Sequence, residues 1–273
     1  MSLVAVPSGG ERINAVCYRA AGAGAHPVLV LLHGFPGVEQ NSDLAHAARR
    51  AGWHVVAPRY RGAWGSPGTF SWTHVLEDAA AVVAWARTDA VARTLGIDSR
   101  TVAIAGHSLG GFAALVTAAE DPTIAGAAAF AAFDFGAYTA ALANTPDAVA
   151  RTAAAWEDDA APLRGTSGRA LADEAFAHGA AWDLRARARA LVGRAGDRPL
   201  LVVAASDDDV APPALHHAPL VEALRANGAR ALAAPTLTAD HAFADTRFAA
   251  ADLLVAWLER MRAAPSAAAA AAW

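Results

Sequence analysis

The stretch Thr101-Val102-Ala103-Ile104-Ala105-Gly106-His107-Ser108-Leu109-Gly110-Gly111 decides the fold. Its first five residues are a short apolar run. Runs of this kind are strands buried on both faces, as in a parallel sheet. Gly106 to Gly110 then fit the pattern G-x-S-x-G, and the Ala-rich segment 109–119 reads as a helix. The pattern needs this succession of strand, sharp turn and helix. Such a turn holds the serine in a strained backbone conformation. Side chains two places to either side would clash with neighbouring chain, which accounts for Gly106 and Gly110. Ser108 is then expected at the carboxyl end of its strand, where open α/β sheets bind ligands.

Outward from this stretch the same rhythm repeats. Val28–Leu32, bounded by Pro27 and His33-Gly34, is another apolar run, as are His54–Pro58, the segment 124–130 and Leu200–Ala204. Helical patterns fall at about 40–51, 73–94, 213–226 and 243–262, with a short strand near 230–234. Segments 3–6 and 12–19 read as an opening hairpin. The alternation predicts an α/β fold, a mostly parallel, doubly wound sheet. One region breaks it. Asp134 to Arg198 holds no buried strand and is too long for a bare loop. It is read as a mostly helical cap insertion, leaving 1–133 and 199–264 as the core. Residues 265–273, Pro265 and Ser266 followed by Ala up to Trp273, are expected to be a disordered tail.

Composition narrows the function. The 273 residues carry 22 basic and 26 acidic side chains, a net charge of -4. That balance gives no basic footprint for nucleic acid. Every basic residue is Arg, so Schiff-base chemistry through lysine is excluded. A single cysteine, Cys17, forms no intramolecular disulfide. No apolar run reaches membrane-spanning length and the first residues do not pattern as a signal peptide. The expectation is a cytoplasmic enzyme, not bound to membrane, acting on a small-molecule substrate.

A serine hydroxyl needs an oriented imidazole to act as a nucleophile. The strand order places that base in the last strand-to-helix loop, where His241 stands in Asp240-His241-Ala242-Phe243. His216 and His217 read as solvated helix residues, and His107 as a packing residue. The orienting acid should follow the preceding strand, where Asp207, Asp208 and Asp209 are all candidates. The order Ser, Asp, His is the one this arrangement uses. Donors for a developing oxyanion are expected from the N–H of Leu109 and, in the loop His33-Gly34-Phe35-Pro36-Gly37, from the N–H of Phe35. No residues show zinc-ligand spacing and no G-x-G-x-x-G follows a strand, so neither metal nor cofactor is expected. The arginines from Arg185 to Arg198 read as a solvated helix face.

With these residues in place, the chain resembles an α/β-hydrolase-fold serine hydrolase. Within that superfamily it is similar to small esterases, dienelactone-hydrolase-like proteins and catalytic domains of acylaminoacyl- and dipeptidyl-peptidase type. The segment Ala51-Gly52-Trp53-His54-Val55-Val56-Ala57-Pro58-Arg59-Tyr60-Arg61-Gly62 and the acid loop Ser206-Asp207-Asp208-Asp209-Val210 carry the likeness. The resemblance puts the catalytic aspartate at Asp208. It implies an ester, thioester or amide hydrolase working through an acyl-enzyme on Ser108. Acyl transfer, peptidase action, C–C bond hydrolysis and a non-catalytic binding role remain alternatives on the same fold. The peptidases usually carry tyrosine after the nucleophile, where this chain has Leu109, and a large domain before the core. Dienelactone hydrolases carry cysteine where Ser108 stands. Some of the insertion's aromatics, Phe135, Tyr138, Trp156, Phe176 and Trp182, are expected to line an acyl pocket, the alternative being that they only dock the segment onto the sheet.

Overall fold

The computed structural model describes residues 1–263, so the tail 265–273 lies outside the described residues. The chain runs through β1 (Ser2–Ser8), β2 (Glu11–Tyr18), β3 (His26–Leu32), α1 (Ser42–Arg50), β4 (His54–Pro58), α2 (Trp72–Ala86), α3 (Asp89–Leu95), β5 (Ile97–His107), α4 (Leu109–Glu120) and β6 (Gly126–Phe130). After β6 come α5 (Phe135–Ala141), α6 (Ala148–Ala160), α7 (Gly168–His178) and α8 (Ala188–Val192), with two short 3-10 turns between the last two. Then follow β7 (Leu200–Ala205), α9 (Pro213–His216), α10 (Ala218–Ala226), β8 (Leu232–Ala233), β9 (Thr236–Leu237) and α11 (Arg247–Ala263).

The strands form one sheet in the order β1-β2-β4-β3-β5-β6-β7-β8, with β9 also on β7. β1 and β2 join as antiparallel strands. From β4 onward the pairs are parallel. The apolar runs are continuous because both faces are covered. In β3, Val28, Val30 and Leu32 enter the core beneath α2 and α4, while Leu29 and Leu31 enter the core beneath α1 and α11. In β7, Leu200 and Val202 face the first of these layers, and Leu201 and Val203 the second. This is the period-two alternation of a strand with helices on either side.

Three elements differ from the sequence expectation. The helix expected over 73–94 is two helices, because Thr88 turns extended and its hydroxyl donates to the Trp85 carbonyl at 2.9 Å. A β-branched hydroxyl residue competes for backbone partners and interrupts a helix this way. The helix expected over 213–226 restarts at Ala218, with Pro219 in the first turn of α10, where a missing N–H is harmless. The strand expected near 230–234 is divided into β8 and β9 around Pro235, which has no N–H to pair.

The segment between β6 and β7 is helical, as its strand-free sequence requires, and it is tied down. The Glu174 carboxylate on α7 accepts the N–H groups of Trp72 and Thr73 at 2.9 and 2.8 Å, so it caps α2 from another part of the chain. The Trp72 indole donates to the Leu171 carbonyl at 2.9 Å. Arg164 exchanges backbone hydrogen bonds with Gly62 and Phe70. The partner loop 59–71 is held in turn by Asp78, which is fully buried and accepts from the Ser8 hydroxyl and from the backbone N–H and Nε of Arg61. Arg198, expected on a solvated face, is buried and donates to the Ala118 carbonyl.

Burial holds His33, His107 and His216 each down to about 4, against an ordinary value of 6.5. It lowers His54 and His217 as well. The unfolded chain therefore binds more protons than the native one between about pH 6.5 and 4, and the native state loses stability as pH falls through that window. Asp134 opposes this: burial raises it to about 6, which costs stability as pH rises toward 6. The histidines outnumber it. The melting temperature should fall steadily from pH 7 to pH 4.5 in a series of thermal melts. A melting temperature that stays flat or rises on acidification contradicts the assignment.

Candidate active site

β5 ends at His107 and α4 begins at Leu109, so Ser108 alone makes the turn, at φ 55° and ψ -122°. A residue with a Cβ is strained there and stays only because its surroundings over-determine it. The surroundings are tight. A Cβ on Gly106 would stand 2.1 Å from the Gly110 carbonyl oxygen, and one on Gly110 would stand 2.3 Å from that of Leu32. Backbone bonds fix the turn from both sides. The Ser108 N–H donates to the Phe130 carbonyl at 2.9 Å, and its own carbonyl accepts from Phe112 at 3.0 Å.

The loop after β7 presents the three aspartates differently. Asp207 and Asp209 are exposed, whereas Asp208 is buried. Asp208 Oδ1 accepts the N–H groups of Val210 and Ala211 at 2.9 and 2.7 Å. Its Oδ2 lies 2.8 Å from His241 Nδ1. Burial alone would raise this carboxyl. The hydrogen bond from His241 and the two backbone donors outweigh it and hold Asp208 below the usual carboxylate range. A carboxylate can only accept, so Nδ1 of His241 carries the proton and Nε2 of the neutral ring keeps its lone pair.

Ser108, Leu109, Phe35 and His241 share one cleft of about 390 Å³. Gly34 passes so close that a Cβ there would stand 3.2 Å from the Ser108 Cβ. The carbonyls of this loop are engaged. His33 O accepts from the Tyr60 hydroxyl at 2.9 Å, Gly34 O from His33 Nδ1 at 2.7 Å, and Pro36 O from the Trp64 indole at 2.8 Å. In a trans peptide the N–H points opposite to its C=O. The pinned Gly34 carbonyl therefore aims the Phe35 N–H away from His33, and no acceptor among the described residues takes it.

Of the insertion aromatics, Phe135, Tyr138 and Trp156 line the cleft. Trp182 and Phe176, expected there, do not. Trp182 is buried between Phe112, Phe135 and the ring of His178, and so docks its segment onto the core. Phe176 is half-buried on α7, away from the lining. The sequence reading missed Trp72, Phe133 and Val210 as cleft residues, and Ala155, Asp159 and Asp209 also line the walls. Trp72 and Phe133 follow β4 and β6 at the carboxyl edge of the sheet, and that position was the available signal. The rings meet mostly edge to face: Phe35–Trp72 at 5.0 Å, Trp72–Trp156 at 5.5 Å and Phe133–Phe135 at 5.0 Å. Tyr138 instead stacks on Trp156 at 5.8 Å and pairs its hydroxyl with Thr152 at 2.9 Å.

Two histidines expected to be solvated are not. His216 is buried, its Nδ1 accepts the Asp134 N–H at 3.0 Å, and its ring lies on Phe133 at 4.8 Å. His217 is half-buried and donates Nε2–H to the Val202 carbonyl at 3.1 Å. Among the described residues no three His, Cys, Asp or Glu side chains gather to hold a metal, and no helix is long and apolar enough to cross a membrane.

Comparison with known proteins agrees with this architecture. The esterase Est1E from Butyrivibrio proteoclasticus superposes with a TM-score of 0.71 at 16% identity, over 96% of this chain and 100% of its own. A second structure of Est1E, with ferulic acid bound, gives 0.70 at 16% identity over 95% and 99%. A puromycin-hydrolyzing peptidase from Mycobacterium tuberculosis gives 0.67 at 16% identity, over 95% of this chain and 39% of its own. These likenesses establish the α/β-hydrolase fold. No curated protein matches the sequence itself. The family model of the X-Pro dipeptidyl-peptidase (S15 family) matches residues 9–265, nearly the whole chain, and this α/β serine hydrolase belongs to that family.

Proposed function

We propose that the protein hydrolyses an ester or amide of a compact aromatic or apolar acyl group, through an acyl-enzyme on Ser108. The single observation that carries the reading is the cleft itself. Its lining includes Ser108, Leu109, His241 and Phe35 beside a wall of aromatic rings, which supports the reading. In this reading His241 takes the Ser108 proton as the hydroxyl attacks the carbonyl carbon. Asp208 orients the imidazole and stabilises its cation. The N–H groups of Leu109 and Phe35 receive the oxyanion of the tetrahedral intermediate. The leaving group departs with the proton from His241. Water, activated by the same imidazole, then releases the acid.

The aromatic wall favours a flat or branched acyl group. The cleft's volume is at the lower end of small-ligand sites. Ferulic acid bound to Est1E, on the same fold, accords with that preference. Removal of an X-Pro dipeptide, the activity in the family's name, is the second reading. Initial rates on p-nitrophenyl esters of aryl and alkyl acids, set against X-Pro anilides, decide between them. The proposal expects aryl and short branched esters to lead, and turnover confined to X-Pro anilides would overturn it.

The triad makes a graded prediction. Ser108→Ala should lower kcat by at least ~10³-fold and Asp208→Asn by up to ~10⁴-fold, while exposed Asp207→Asn stays within about threefold. Steady-state kinetics on folded variants check this, and an Asp207 variant slower than the Asp208 one would contradict the assigned acid. The aromatics make a second prediction. Trp156→Ala should change the kcat/KM ratio between aryl and alkyl esters by about 1–3 kcal/mol. Trp182→Ala should instead lower stability by about 3–5 kcal/mol and leave the ranking of esters alone. Denaturant unfolding and the ester panel, run on both variants, separate the two roles. An unaltered ranking in Trp156→Ala would remove it from the acyl pocket.

A further inference from the structure

We infer that His107, the second residue of the serine turn, is the positioning residue of the base: its Nε2–H holds the backbone carbonyl of His241 and so fixes where that imidazole stands relative to the turn. The inference rests on the triad reading above. Its observation is a 2.7 Å hydrogen bond between residues 134 apart in the chain. A carbonyl oxygen offers only lone pairs, so the imidazole is the donor. Burial, reinforced by the neighbouring His241, keeps His107 near 4 and hence neutral at ordinary pH. Its one N–H is therefore on Nε2.

The rest of the geometry agrees. The His107 ring lies 4.9 Å from the His241 ring and 6.1 Å from that of Phe243, which is itself buried at φ 56°. On its other side a Cβ built on Gly34 would stand 3.4 Å from His107 Nδ1. One imidazole therefore bridges the loop carrying the base and the loop beside the nucleophile. Other hydrogen bonds hold the ends of the base loop, where the Asp207 N–H donates to the Ala239 carbonyl at 2.9 Å and Arg247 is anchored to Asp43, but they do not hold His241 itself. Phe243 N–H and Ala244 N–H return to Asp240, and the Ala242 carbonyl accepts from Arg247, all within the loop and the start of α11. Among the described residues, two hydrogen bonds reach outward from residues 240–242. One runs from the His241 side chain to Asp208, and the other from its carbonyl to His107. Asp208 sets the ring's direction. His107 sets the height of the backbone that carries it. A catalytic group needs both fixed by supporting hydrogen bonds.

His107→Phe keeps the ring and its packing but loses the donor. A displacement on the order of 1 Å costs about 10²-fold in rate, so kcat should fall roughly 10–100-fold with KM changed less than about threefold. His107→Gln, whose amide can donate to the same carbonyl, should recover most of that loss. In a His241→Ala background, His107→Phe should change the residual rate by less than about twofold, because no base remains to be positioned. Should His107→Phe not fold, His107→Met against His107→Gln carries the same contrast. A donor-less variant with wild-type kcat overturns the inference. So does an equal fractional loss in both backgrounds, which marks general damage to the turn. Full activity in His241→Ala alone would instead overturn the triad reading.

Discussion

Ser108 turns the chain with its backbone at φ 55° and ψ -122°, a conformation that a residue with a side chain avoids. The sheet and α4 impose it. They approach so closely that Gly106 and Gly110 have backbone within 2.1 and 2.3 Å of where a Cβ would be. That close approach lifts the serine out of both strand and helix and leaves its side chain at the carboxyl edge of the sheet. Everything else in the site is arranged around that point. The loop after β3 runs past it with Gly34 in contact. The loop after β7 supplies Asp208, and the loop before α11 brings His241 back across the edge.

The helical segment between β6 and β7 is docked rather than hinged. Glu174 spends its carboxylate on two backbone donors at the start of α2, Leu171 takes the Trp72 indole, and Arg164 pairs with the loop below. The indole of Trp72 is thus both a wall of the cleft and an anchor for the segment that closes it. The same construction explains why the aromatics divide. Those on the near side of α5 and α6 face the cleft, and Trp182, beyond them, is consumed in fastening.

Much of this was legible in the residues because it depends on neighbours in sequence. Apolar runs mark β3, β4, β5 and β7, and G-x-S-x-G between strand and helix marks the turn. Other features depend on partners far along the chain. By residue type three adjacent aspartates look alike, and only the family resemblance singles out Asp208; the fold brings that one alone to His241. His216 reads as a surface residue of a helix until the Asp134 N–H and the Phe133 ring cover it. Whether Trp156 or Trp182 faces a ligand is set by how helices dock, which spacing along one helix does not encode. Two misread helices were decided locally, by Thr88 and Pro219, and weighing those residues against the Ala-rich background would have split them.

The central claim is that the crowded turn makes Ser108 a nucleophile activated by His241. Treating the native protein with a fluorophosphonate and mapping the adduct by peptide mass spectrometry tests it most directly. The account predicts a single phosphonyl adduct per chain, on Ser108, forming rapidly in the wild type and at a small fraction of that rate in His241→Gln. An adduct on another residue, or undiminished labelling of Ser108 in the histidine variant, would contradict it.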